Sequence, residues 1–170
     1  MVSTQGNEML IGIISDTHDK LTRTRIAVDM LQTVGAQALV HCGDFVEPDL
    51  LAVCAGQPVY FVLGNNDLDS ARALEAMGDA IGATFLGWGG VIDLGGKRIG
   101  ITHGHTHGDY KRVLAANPDY LLMGHSHVAE DRRQGAVRLI NPGALHRANP
   151  YTVALLDLET DNLCFLEVPK

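Results

Sequence analysis

The sequence predicts an α/β fold, a four-layer α/β/β/α sandwich in which two mixed β-sheets pack face to face with helices outside. Three observations predict it. Apolar runs alternate with helix-period segments through the first half of the chain, the pattern of parallel βαβ units. Glycine-centred hairpin signals take over in the second half. The 170 residues, 46% hydrophobic and 19% charged, have the size and composition of one domain with its own core. No internal repeat and no linker rich in Pro, Gly or Ser divides the chain, so residues 1–170 read as a single domain. About the first eight residues are expected to be a flexible start.

Taken in order, "MLIGIIS" is a buried strand. "LTRTRIAVDMLQTVG" is a helix with Ile26, Met30, Leu31 and Val34 at helical spacing, ended by Gly35. "QALVHCGD" is a second strand, and "EPDLLAVCAG" a short helix with Pro48 in its first turn. "PVYFVLGN" is a third strand, followed by the helix "DSARALEAMGDA". "WGGVIDLGGKRIGITHG" holds two alternating runs joined at Gly95 and Gly96, a hairpin. "GDYKRVLAANPDYLLMGHSH" returns to a helix and strand, and two more hairpins follow, "RRQGAVRLINPG" and "YTVALLDLETDNLCFLEV", the latter turning around Asp161 and Asn162. Trp88, in "GWGG", belongs either to an exposed patch or to the hairpin core.

Composition narrows the setting. No apolar run approaches the roughly 20 residues of a membrane helix, and "MVSTQGNE" lacks the basic and apolar regions of a signal peptide. A cytoplasmic protein with no membrane partner is expected. Cys42, Cys54 and Cys164 are odd in number and lack C-x-x-C spacing, which fits reduced, mostly buried thiols. The formal charge of −7 argues against an extended nucleic acid, whose backbone calls for a basic face. Self-association into a homo-oligomer is compatible with the sequence.

Polar residues collect at the ends of the apolar strands: Asp16 and His18 in "SDTHD", Asp44 in "HCGDF", Asn65 in "LGNND", His103 in "THGHTHG", then His125 and His127 in "GHSH". Taken singly, each segment is a turn or a helix cap. The "GHSH" pair alone does not decide between ligand and surface histidines. Taken together, they supply the groups of a two-cation site at five successive strand ends. Independent turns would scatter the eight histidines, whereas five lie at or beside two of those ends. Ligands of open α/β sheets bind beyond the carboxyl ends of the strands, so these ends can converge.

The ordered set D-x-H, G-D, G-N-x-D, H and G-H-x-H resembles the calcineurin-like metallophosphoesterases, in particular their small stand-alone phosphodiesterase branch. The resemblance runs from Leu10 to about Val168 and includes "INPGA" at Ile140 to Ala144, which is similar to an N-P-G-S turn of that branch. It implies hydrolysis of a small phosphodiester, such as a cyclic nucleotide, by a hydroxide bridging two divalent ions. It places Asp44 between the ions, with Asp16, His18 and His127 on one and Asn65, His103 and His125 on the other. Manganese leads among the ions this mixed donor set suits, ahead of iron, zinc, nickel and cobalt.

Asn66 stands where many members have a histidine that protonates the leaving group, and an amide cannot do so near pH 7. His105 is the substitute acid, or an activated leaving group departs without one. Asp67 is read as orienting a ligand, and His41 as either supporting the site or packing in its strand. Ala144 replaces a serine of the branch, while His107, Asp109 and His146 receive no role. Two other classes compete: a non-catalytic interaction scaffold of the same fold, and a metallo-β-lactamase-like dizinc hydrolase suggested by "HGHTHGD".

Overall fold

The structure, a computed structural model, describes residues 9–170, so the expected flexible start lies outside the described residues. Strand β1 (Leu10–Ile14), helix α1 (Leu21–Thr33), β2 (Ala38–His41), α2 (Pro48–Ala52), β3 (Val59–Phe61), α3 (Ala71–Ile81) and β4 (Thr84–Phe85) form the first half. The second half comprises β5 (Gly89–Leu94), β6 (Lys97–Thr102), α4 (His107–Leu114), β7 (Tyr120–Leu122), β8 (Ala129–Gln134), β9 (Val137–Pro142), β10 (Tyr151–Asp157) and β11 (Leu163–Val168). One sheet has the order β11-β10-β1-β2-β3-β4, the other β5-β6-β7-β9-β8. Strands β1 to β4 run parallel, as do β6, β7 and β9, and antiparallel strands complete each sheet.

Alternation of side chains assigns the layers. Ile11 and Ile13 of β1, Ala38 and Val40 of β2, Ile99 and Ile101 of β6, Tyr120 and Leu122 of β7 and Ile140 of β9 all enter one cluster between the sheets. The intervening Ile14 and Leu39 turn the other way and pack with Ala27, Val28, Leu31, Leu50, Leu51 and Leu74 beneath α1, α2 and α3. On the opposite face Leu121, Val137 and Leu139 meet Val113 of α4. The result is the expected helix, sheet, sheet, helix sandwich. Far from the strand ends that matter below, Asp161 accepts hydrogen bonds from Tyr120 Oη and Arg138 at 2.7 Å each, tying the β10–β11 turn to the second sheet.

Three details depart from the sequence reading. The two-residue β4 is too short to leave a pattern. Strand β8 starts at Ala129, before the expected hairpin, and all six residues are exposed, so no apolar alternation marks it. Its charges, with Arg132 on Glu130 and Arg138 on Asp131, suit a sheet edge exposed to water.

Helix α1 is rotated from the expected face. Thr24, Ala27, Val28 and Leu31 are buried, whereas Ile26 is 36% and Val34 44% exposed. The core-facing side of the helix includes the small residues Thr24 and Ala27, so bulk alone misjudged the face. Gly95 and Gly96 both adopt positive φ, +57° and +74°, as a two-residue type I′ hairpin requires. Trp88 packs against the core beneath the helices, and Cys42 and Cys54 are buried while Cys164 is exposed. No helix among the described residues is long and apolar enough to cross a membrane.

The rotated face of α1 is open to measurement. Leu31→Ala should destabilise the protein by about 2 to 5 kcal/mol in urea titration, and Ile26→Ala by less than about 1 kcal/mol. Equal losses would place Ile26 in the core.

Candidate metal centre

The carboxyl ends of β1, β2, β3, β6 and β7 meet at one edge of the sandwich and bring their polar residues to a common point. Asp16 is fully buried, and its Oδ1 lies 3.1 Å from His127 Nε2, 3.8 Å from His103 Nε2 and 4.0 Å from His18 Nε2. Asp44 Oδ2 lies 3.4 Å from His103 Nε2 and 3.5 Å from His18 Nε2. Two compact groups emerge, each able to surround one ion: Asp16, His18 and His127, and Asp16, Asp44 and His103. Asp16 is common to both.

Asn65 and His125 sit outside these groups. They bond each other, with 3.0 Å between His125 Nδ1 and Asn65 Oδ1, on two exposed loops beside His103. The His103 and His125 rings are 5.2 Å apart between centroids.

Hydrogen bonds fix how the donors face. His103 Nδ1 lies 2.8 Å from the Cys42 carbonyl, which can only accept, so Nδ1 carries the proton and Nε2 presents its lone pair to the carboxylates. Asp16 Oδ1, His18 Nε2 and His103 Nε2 are all buried without a hydrogen-bond partner. Acceptors gathered in this way repel one another unless a cation lies among them. Carboxylate, imidazole and amide donors suit the divalent ions Mn, Fe, Zn, Co and Ni, so the residues present fit a metal.

Supporting contacts are as specific. Asn66 donates its backbone N–H to Asp44 Oδ1 at 2.9 Å and its side-chain amide to Oδ2 at 2.7 Å. Burial alone would raise the Asp44 pKa, but the His103 ring and these two amides outweigh it and hold the carboxyl well below the usual range. For His103 burial pulls the other way, yet Asp44 and Asp16 raise its pKa above the ordinary imidazole value. Asp67, buried, accepts from the backbone N–H groups of Asp44, Val46 and Gly64, each at 2.8 Å, and so locks the β2 loop to the β3 loop. Burial, its leading influence, raises the Asp67 pKa.

His41 belongs to the same scaffold. It receives the Gly43 N–H on Nδ1 at 3.1 Å, so its Nε2–H donates to Thr17 Oγ1 at 3.1 Å, and the ring stacks on Phe45 with centroids 3.5 Å apart. Thr17 Oγ1 in turn donates to the Asp44 carbonyl at 3.4 Å. Between the readings left open for His41, the structure favours support of the site.

Two contributions were not read from the sequence as roles. Asn141, in the "INPGA" turn, donates to the Gly124 carbonyl at 2.8 Å and pins the "GHSH" loop. His146 packs on His18 with centroids 4.4 Å apart. No spacing signal marks either residue. His105 stands 5.4 Å from His103 between ring centroids, edge-on to Trp88, with Nδ1 buried and unpartnered.

Backbone strain converges on the same residues. Among the described residues nine non-glycine residues have positive φ, and five of them are Asp16, His18, Asp44, His125 and His127. Aspartate and histidine tolerate this region better than most side chains, but five of them held there at one place mark a site whose surroundings over-determine it. Gly64 matters for the opposite reason: a Cβ there would collide with the Asp44 carboxylate.

Residues 9–161 match the family model of the calcineurin-like phosphoesterase superfamily domain. The chain belongs to this superfamily. Within it, the chain falls in the small stand-alone phosphodiesterase branch. It is 27% identical over 156 residues to a phosphodiesterase of Methanocaldococcus jannaschii, covering 89% of this chain and 94% of that protein. It is 29% identical over 166 residues to a probable metallophosphoesterase of Bacillus subtilis, covering 90% and 86%. The solved structure of an archaeal phosphodiesterase superposes with a TM-score of 0.83 at 26% identity, covering 95% of this chain and 100% of that one. A zinc complex of Vps29 from Entamoeba histolytica shares the fold, with a TM-score of 0.60, 21% identity and coverage of 94% and 98%.

Family membership disposes of the comparison with the β-lactamase-type dizinc site, and the geometry gives the reason. His107 opens α4, and Asp109 bonds Thr106 and Arg112 rather than the other histidines.

Two measurements test the supports. Asp67→Asn leaves one acceptor oxygen and an amide facing three N–H donors, so manganese affinity measured by calorimetry should fall about 10- to 100-fold. Unchanged affinity would remove Asp67 from the scaffold.

The His41 pKa is driven well below 6.5 chiefly by burial, assisted by the His103 charge. The unfolded chain therefore takes the proton first, and folded stability is lost as pH falls below about 6.5, by at most about 1.4 kcal/mol per pH unit. In urea titrations of metal-free protein the advantage of wild type over His41→Phe should shrink from pH 7 to pH 5. Parallel curves would show the ring protonating in place.

Proposed function

We propose that the chain is a metal-dependent phosphodiesterase that hydrolyses small phosphodiesters at a two-cation centre. The observation that carries this reading is the convergence of Asp16 Oδ1, His18 Nε2 and His103 Nε2, buried and unpartnered, around one space. In this reading Asp16, His18 and His127 would hold one ion, Asn65, His103 and His125 the other, and Asp44 would serve both, with Asp16 close enough to His103 to contribute to the second as well. Two divalent ions, manganese for preference, supply Lewis acidity to the phosphoryl oxygens and a water acidic enough to attack phosphorus.

The chain's own residues set the conditions for that chemistry. The Cys42 carbonyl keeps the His103 lone pair aimed inward. With His103, Asn66 helps keep Asp44 ionised and fixes its direction, and its side-chain amide is not acidic enough to protonate the leaving group. In this reading His105 is the imidazole beside the centre that would protonate the leaving group when in its cationic form. Its pKa is lowered, first by burial and then by the neighbouring His103 and His125. A good leaving group such as p-nitrophenolate needs no such proton, while an alkoxide does. The net charge of −7 and the small aromatic content favour a compact diester over an extended nucleic acid.

Metal-stripped protein should be inactive toward bis(p-nitrophenyl) phosphate, recover on addition of manganese, and lose activity again with chelator. Asp44→Ala and His125→Ala should each lower kcat/KM by at least about a thousandfold. An absence of turnover with any of Mn, Fe, Zn, Co and Ni would favour the interaction scaffold instead.

His105→Gln should lower kcat roughly 10²-fold or more on an alkyl-leaving diester and far less on bis(p-nitrophenyl) phosphate. Equal losses on both would remove His105 as the acid.

A further inference from the structure

A cavity of about 390 Å³ begins at His127 and runs between the loop after β7 and the loop before β10, with Ser126, Val128, Arg147, Asn149 and Pro150 in its walls. Its volume falls in the range of small-molecule sites. Four other cavities of about 330 to 480 Å³ each have an aspartate or glutamate in the wall, while the one at His127 has none. In a chain with 20 acidic and 13 basic residues, that local exclusion of negative charge is a property of this place and not of the surface at large.

Arg147 supplies its positive charge. Arg23 is engaged by the Leu145 carbonyl, and Arg112, Arg132, Arg133 and Arg138 by carboxylates, whereas Arg25, Arg72, Arg98 and Arg147 make no ion pair among the described residues, and of these four Arg147 alone lines this cavity. Its backbone is held at φ +45°, a conformation disfavoured for arginine. The segment before it is anchored to the metal loops, since Leu145 N–H donates to the Asp16 carbonyl at 3.2 Å and His146 packs on His18. On the other wall Val128 is 62% exposed, an uncovered apolar surface directly after His127. An apolar wall, a free guanidinium and no opposing carboxylate together match an organic group that ends in an anion.

We propose that this cavity seats the ester arm of the substrate that stays on the phosphorus, and that Arg147 reads a second phosphate carried by that arm. The proposal rests on the phosphodiesterase reading and refines it: preferred substrates are diesters with a further terminal phosphate, as in a nucleotide phosphorylated at its far end.

The test compares thymidine 5′-(p-nitrophenyl phosphate) with the same diester bearing a 3′-phosphate, on manganese-loaded protein. Water is consumed and the phosphorus–oxygen bond to p-nitrophenol breaks in both, so only the arm differs. The 3′-phosphate should raise kcat/KM about tenfold or more in wild type, mostly through KM. That ratio should collapse to within about twofold in Arg147→Gln and survive in part in Arg147→Lys, each variant being its own control through the ratio. A wild-type ratio near one, or a ratio untouched in Arg147→Gln, overturns the proposal.

Calorimetry separates this from failure of the parent reading. If no diester turns over, thymidine 3′,5′-bisphosphate should still bind the metal-loaded protein about tenfold more tightly than thymidine 5′-monophosphate, and less so in Arg147→Gln. Equal binding of the two nucleotides also overturns it.

Discussion

Two buried carboxylates and the inward lone pair of buried His103 face one another across 3.4 to 3.8 Å, with the half-buried His18 and His127 rings beside them. Like polarity at such range, screened from water, is unfavourable until positive charge enters. The rest of this edge of the molecule can be understood as the apparatus that tolerates that arrangement. Five strands must end together, their loops must be tied to one another, and the backbone must accept conformations that free chains avoid.

The ties are mostly between loops and seldom within them. Asp67 binds the β2 and β3 loops through three amides, His41 and Thr17 join the β1 and β2 loops, and Asn141 fastens the loop after β7 to the end of β9. The ties through His41 and Asn141 each have one partner on a strand fixed by the core, while Asp67 joins loop to loop. Loops are usually the soft part of a fold, yet here they inherit the rigidity of the two sheets. That stiffness is what allows five aspartates and histidines to persist at positive φ.

The sandwich and the candidate ligands were legible because both leave periodic or compositional traces. Period-two burial gave the strands, paired glycines gave the hairpin at Gly95, and histidines concentrated at strand ends gave the set around Asp16. What stayed hidden lacks such traces. The six exposed residues of β8 carry no alternation. The buried face of α1 depends on Thr24 and Ala27, whose small size matters only once β1 lies beneath them. Asn66 is clear as an absent histidine, but its grip on both Asp44 oxygens is a fact of three dimensions. The sharing of Asp16 by both compact groups, with Asn65 and His125 bonded to each other beside them, likewise has no signature in spacing.

The hydrogen bond between His103 and the Cys42 carbonyl carries a consequence for how such a centre can change over time. Many metal-bound imidazoles lean on an aspartate or glutamate, and a single codon can then retune the ring's basicity. Here the acceptor is main chain at the end of β2, and every amino acid offers the same oxygen. Drift in the sequence of that strand leaves the tautomer untouched, so this part of the centre is inherited with the topology.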